Sequence, residues 1–144
     1  MKQVLIVLSI LVMAFSKSVA ADPSVSNEVM KSFQAAFATA KEVSWSQADG
    51  FYVVSFQLNG KKKYAYYNQS AELVVVAEPI NIHQLTDELQ ADIIQRFTNA
   101  HLRELYKMKD SSGIRYYAVL ETEKDKIIVN AIDDVWKVAK RTRK

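Results

Sequence analysis

The sequence predicts an α+β fold built from two repeats, about 26–79 and 80–144, each a helix followed by four antiparallel strands. The helices are expected to pack on one face of an antiparallel sheet that could run continuously through eight strands. Three observations carry this expectation. Ser26-Asn27-Glu28-Val29 and, sixty residues on, Thr86-Asp87-Glu88-Leu89 open segments that continue in step, with Phe33, Phe37 and Ala40 answered by Ile93, Phe97 and Ala100. After each segment the apolar period changes from helical to two, the mark of strands with one buried face. Turn residues then recur between the strand-like runs, and successive hairpins make neighbouring strands antiparallel. A single helix or a single four-stranded sheet has an apolar face it cannot bury alone, so the duplication implies a shared core.

Taken in order, the chain opens with an export signal over residues 1–20: Lys2, the apolar run Val4 to Phe15, then the small residues Ser18-Val19-Ala20. A run of twelve residues falls short of the roughly 20 that a bilayer core requires, so cleavage before Ala21 is expected rather than a membrane anchor. No transmembrane segment is expected after cleavage, and no cysteine lies near the cut to carry a lipid. Residues 21–144 form the expected domain, with 17 Lys and Arg against 16 Asp and Glu. So small a net charge argues against a nucleic-acid partner. The chain has no cysteine, which excludes cysteine nucleophiles and cysteine-ligated metal and leaves the core alone to hold an exported domain. Three Gly and two Pro leave no room for a Gly-rich phosphate loop.

Ser26 can cap the first helix, Glu28 suits its positive end, and Val29, Phe33, Ala36 and Phe37 share one face. Val43 and Trp45 begin a strand that turns at Ala48-Asp49-Gly50. Tyr52, Val54, Phe56 and Leu58 line one side of the next strand, and Asn59-Gly60 is the strongest hairpin signal in the chain. Tyr64–Tyr67 and Leu73–Val76 follow, separated by Asn68-Gln69-Ser70, and Pro79 ends the unit because it lacks a ladder donor. Thr86, Asp87 and Glu88 start the second helix, with Leu89, Ile93 and Phe97 on one face. Strands are then predicted at Leu102–Met108, Ile114–Leu120, Ile127–Val129 and Val135–Val138. Phe37 and Phe97 are expected core anchors, each worth about 3–5 kcal/mol against alanine.

The run Phe37-Ala38-Thr39-Ala40-Lys41-Glu42-Val43-Ser44-Trp45, with Asp49-Gly50-Phe51-Tyr52-Val53-Val54-Ser55-Phe56, Asn59-Gly60-Lys61 and Tyr64-Ala65-Tyr66-Tyr67, resembles the bacterial PepSY-like family. These are exported proteins with a fold similar to beta-lactamase inhibitory protein, and the resemblance covers nearly the whole of residues 21–144 as two tandem units. It implies helices on one face of an antiparallel sheet, an open second face, and a periplasmic or secreted location at the bacterial envelope. It also implies a protein or peptide partner gripped by the open face and a protruding hairpin.

In this chain the comparable acidic, aromatic turn is Asp49-Gly50-Phe51-Tyr52, although backbone preference alone explains an Asp-Gly turn. Phe51 and Val53 alternate with the apolar side of their strand and are assigned to the open face, with Tyr67 and Tyr117 as companions and Lys63 and Arg115 in phase. Cross-strand stabilisation would explain the same aromatics. The candidate partner-binding residues are therefore Asp49, Phe51, Val53, Tyr67 and Tyr117. His83 and His101 lack a third ligand, and no nucleophile elbow, HExxH or paired-carboxylate motif is present, so no metal, cofactor or catalytic residue is assigned. Lys61-Lys62-Lys63 reads as edge protection, and Lys140-Arg141-Thr142-Arg143-Lys144 as a solvated tail. The function expected is a non-enzymatic exported binding or inhibitory module that meets an envelope or secreted protein or peptide. The alternative is a structural or stress-related envelope protein binding a small or polymeric ligand.

Overall fold

The computed structural model describes residues 24–144. The export signal assigned to residues 1–20 lies outside them. The chain runs α1 (Asn27–Ala36), β1 (Lys41–Ala48), β2 (Phe51–Leu58), β3 (Lys61–Tyr67), β4 (Leu73–Pro79), a 3-10 turn (Ile82–Gln84), α2 (Asp87–Arg96), β5 (His101–Asp110), β6 (Gly113–Glu121), β7 (Asp125–Ile132) and β8 (Val135–Arg143). The strands hydrogen-bond in chain order, β1 to β8, in one eight-stranded sheet. The chain divides inside β4, between Val76 and Ala77, into two compact units.

In the first unit, the Ser26 hydroxyl accepts the Val29 amide at 3.3 Å and caps α1. α1 then stops after one turn-closing bond, Phe37 N–H to Phe33 C=O. Its buried residues, Val29 and Phe33, pack on Tyr52, Val54, Phe56, Ala65 and Tyr67. Phe33 meets Phe56 edge-on at 5.1 Å and Trp45 edge-on at 5.4 Å, a geometry aromatic rings favour. Two-residue turns join the strands: Asp49 and Gly50, then Asn59 and Gly60, all hold positive φ. Such a pair of left-handed residues matches the twist of an antiparallel hairpin, and Asn-Gly or Asp-Gly supplies it at little strain. β1 breaks its register between Lys41 and Ser44, where Glu42 also has positive φ.

In the second unit, Thr86 caps α2 by accepting the Leu89 amide at 3.3 Å. Leu89 and Ile93 pack on Leu105, Ala118, Leu120, Ile127, Val129, Ala131 and Trp136. Trp136 fastens this layer. Its ring is fully buried and its Nε1 donates to the Leu89 carbonyl at 2.9 Å. Its backbone N–H donates to Asp92 at 3.1 Å, and Arg96 donates to its carbonyl while also pairing with Asp92. Large fully buried side chains of this kind each contribute about 1.5–3 kcal/mol of transfer free energy.

Two expectations change. Phe37 and Phe97 sit at the helix C-caps and are only half-buried, because the chain leaves the helix there to start the next strand. The basic stretch expected to be a frayed tail is strand: β8 extends to Arg143, pairing Lys140, Arg141, Thr142 and Arg143 with β7. A bulge between Ile128 and Val129 lets that pairing continue past the polar residues.

Candidate functional site

Pairing register decides which side chains share a face, because residues directly opposite in neighbouring strands point the same way. In the first unit Tyr52 pairs with Tyr67 and Val54 with Ala65, and all four belong to the layer under α1. Val53 pairs with Tyr66 on β3 and with Ser46 on β1, while Phe51 pairs with Ala48. These occupy the second face. Val53 and Tyr66 are nearly or fully buried and Phe51 is half-buried.

In the second unit the layer under α2 takes Leu105, Ala118, Val129 and Trp136. The opposite phase pairs Tyr106 with Tyr117, Glu104 and Ile128 with Val119, and Met108 with Arg115. Tyr106, Met108, Tyr117, Val119 and Ile128 are all buried, yet none belongs to the layer under α2. Tyr106 and Tyr117 lie with ring centroids 6.3 Å apart, and the Tyr106 hydroxyl donates to Glu104 at 3.2 Å. Arg115 and Asp110 close one end of this strip as a mostly buried ion pair at 2.7 Å. The Tyr117 hydroxyl is buried and, among the described residues, finds no hydrogen-bond partner. Burial, reinforced by the Glu104 carboxylate, pushes its phenol above the usual range.

The five residues predicted from sequence are thus only partly brought together. Asp49 stands exposed at the β1–β2 turn with φ 48°, as its hairpin role requires. Phe51 and Val53 lie on the second face of the first unit. Tyr117 lies on the second face of the second unit, but it is buried rather than exposed. Tyr67 is a correction: it belongs to the layer under α1, fully buried and 6.3 Å from Trp45. Burial pushes its phenol up to about 12. Lys63, placed with Tyr67 in the sequence reading, also changes face, since it pairs with Phe56. Sequence reasoning missed Tyr66, Tyr106, Met108, Val119 and Ile128.

Elsewhere the second unit holds a polar groove lined by His101, Arg103, Glu121, Lys124 and Lys144 among others. Three of its charges, Arg103, Glu121 and Lys144, satisfy one another. Glu121 accepts from both Lys144 and Arg103, which hold its carboxyl below the ordinary range. An apolar groove in the first unit runs between Met30, Phe33, Phe37, Val43 and Trp45. Among the described residues no three His, Cys, Asp or Glu converge as a metal site, and no helix is long and apolar enough to cross a membrane.

The second-face strip, braced by helices on the other side, can be set against solved folds. A candidate periplasmic protein of Bacteroides eggerthii superposes with a TM-score of 0.73 at 13% identity, over 84% of this chain and 90% of that one. A DUF2874 family protein of Bacteroides ovatus gives 0.71 at 17% identity, over 84% and 89%. A BLIP-like protein of Bacteroides fragilis gives 0.66 at 13% identity, over 84% and 87%. The chain has a BLIP-like fold. No family model matches the sequence, and no curated protein matches it.

Proposed function

We propose that this protein is an exported, non-enzymatic binding module whose sheet face opposite the helices receives a protein or peptide. The observation that carries the reading is the apolar strip Tyr106, Met108, Tyr117, Val119 and Ile128. It is an aromatic strip on the second face of the sheet, outside the layer under α2. Aromatic residues at the centre of an apolar patch with a polar rim are the usual anchors of protein interfaces. The buried, unpartnered Tyr117 hydroxyl offers a donor that such a body could satisfy.

The module is composed of two PepSY-like units. This reading is supported by matching caps and contacts at an offset of sixty: Ser26 and Thr86, Val29 and Leu89, Phe33 and Ile93. The amides of Ala40 and Ala100 also bond to Phe37 and Phe97 at the same 3.0 Å. Export is supported by the segment Lys2 to Ala20 and by the fold shared with a candidate periplasmic protein. Asp49 and Phe51 form the hairpin-tip part of the surface in the first unit.

The test is capture from an envelope extract of the host by residues 21–144, wild type against Tyr106→Ser and Phe51→Ser variants. Ile94→Ser, on the outward side of α2, is the control. A partner held by wild type and control but lost by about tenfold or more in the face variants supports the reading. Equal capture by all four would refute it.

A further inference from the structure

We propose that the outer edge of β8 docks an acidic, extended peptide segment, which adds to the sheet as a further strand. β8 is the last strand in the hydrogen-bonded order, so among the described residues it has a neighbour on one side only. Along such an edge, alternate residues turn their backbone N–H and C=O outward. At Trp136 those outward groups are taken, the N–H by Asp92 and the carbonyl by Arg96 of α2. Beyond Trp136, among the described residues, nothing pairs with the outer side of Val138–Arg143. α2 therefore fixes where an added strand would begin.

Charge selects the occupant. Val135–Arg143 carries Lys137, Lys140, Arg141 and Arg143 and no acidic residue, and every position but Trp136 is exposed. Arg141 reaches Asp125 only at 3.8 Å and stays well exposed. Among the described residues Lys137, Lys140 and Arg143 make no ion pair. The bulge in the β7–β8 pairing distributes these cations over both faces: Lys137 and Lys140 sit opposite Asn130 and Ile128, whereas Arg141 and Arg143 sit opposite Ile127 and Asp125. A flat anionic membrane would meet one face of the strand. A strand lying alongside presents alternating side chains to both, so acidic groups at either phase find a cation. The same charges repel a second copy of β8, so the edge refuses itself while admitting an acidic strand. Val135 and Val138, 48% and 47% exposed, give apolar contact between the charges.

The experiment uses the exported protein and a fluorescent peptide of alternating glutamate and valine, about as long as β8. Three comparators are a lysine–valine peptide, the acidic peptide with proline at alternate valines, and phosphatidylglycerol vesicles. Binding of the acidic peptide that weakens as salt rises, with backbone amide shifts at Val138–Arg143 in nuclear magnetic resonance spectra, supports the proposal. Lys140→Glu with Arg143→Glu should weaken it about tenfold or more, since opposed like charges are costly at an interface. Lys31→Glu on α1 should leave it unchanged, and circular dichroism checks that each variant keeps its sheet. Failure of the acidic peptide to bind at low salt overturns the proposal. So does equal binding of the proline peptide, which would mean charge attraction without strand pairing, or binding of the vesicles alone. Only Lys140 borders the second-face strip, opposite Ile128, so the amide shifts along Val138–Arg143 and the proline peptide separate this proposal from the binding function above.

Discussion

Replacing Tyr117 by phenylalanine removes a single oxygen from a fully buried ring and should stabilise the protein. The hydroxyl is shielded from water and, among the described residues, gains no partner. An unsatisfied buried polar group of this kind costs about 1–3 kcal/mol. The void left by one oxygen is smaller than a methyl group and returns at most about 1 kcal/mol of that. The net expectation is a gain of about 1 kcal/mol, whereas Tyr117→Ala, which deletes the whole ring, should lose about 3–5 kcal/mol. Urea unfolding followed by circular dichroism reads both, as midpoint shifts at unchanged slope. If Tyr117→Phe lowers stability by about 1 kcal/mol or more, the hydroxyl has a partner and its isolation is wrong. A stabilised Tyr117→Phe that also loses partner capture would mark the hydroxyl as a group kept unsatisfied for binding.

Three further outcomes follow from the packing. Trp136→Phe should cost about 1–2 kcal/mol through loss of the bond to Leu89 and some ring area, and Trp136→Ala about 3–5 kcal/mol, both read by denaturant unfolding. Phe37→Ala and Phe97→Ala should cost about 2 kcal/mol each, less than for full core rings because both are half-buried; unequal losses would argue against equivalent helices. The Tyr67 phenol ionises at about 12 when folded and near 10 when unfolded, so stability is constant below the lower value and falls as pH rises between them. Tyr67→Phe should remove about 2 kcal/mol of that alkaline loss, and a wild-type and variant pair that fall in parallel would refute the shift.

The elements were readable because each carried two concordant signals, a period and a boundary. α1 and α2 combine a capping hydroxyl with apolar residues four apart, and the β1–β2 and β2–β3 turns use Asp-Gly and Asn-Gly where positive φ is needed. Periodicity ends β8 at Val138, because its second half has no apolar phase. Its pairing survives through the ladder to β7 and a bulge, and a bulge adds a residue that periodicity counts as noise. The turn at Asp133 and Asp134 was visible as paired acids; that both take positive φ was not, since neither is glycine.

The candidate face shows where alternation alone fails. Phe51 and Val53 fall in the phase of β2 opposite the wholly apolar one, which alternation alone can separate. β3 gives no such contrast, since Tyr64, Tyr66 and Tyr67 put aromatics in both phases. The deciding information was in the hairpin rather than the strand. A two-residue Asn59-Gly60 turn forces Leu58 opposite Lys61, and counting outward puts Val53 opposite Tyr66 and Tyr52 opposite Tyr67. Register carried through the turn would have chosen Tyr66 and left Tyr67 in the layer under α1. The same count through β5 meets a bulge between Leu102 and Glu104, but Asp110 opposite Gly113 anchors it from the other end and brings Tyr106 onto Tyr117. A surface made of strands is therefore fixed by its turns, and its chemistry is to be read two strands at a time.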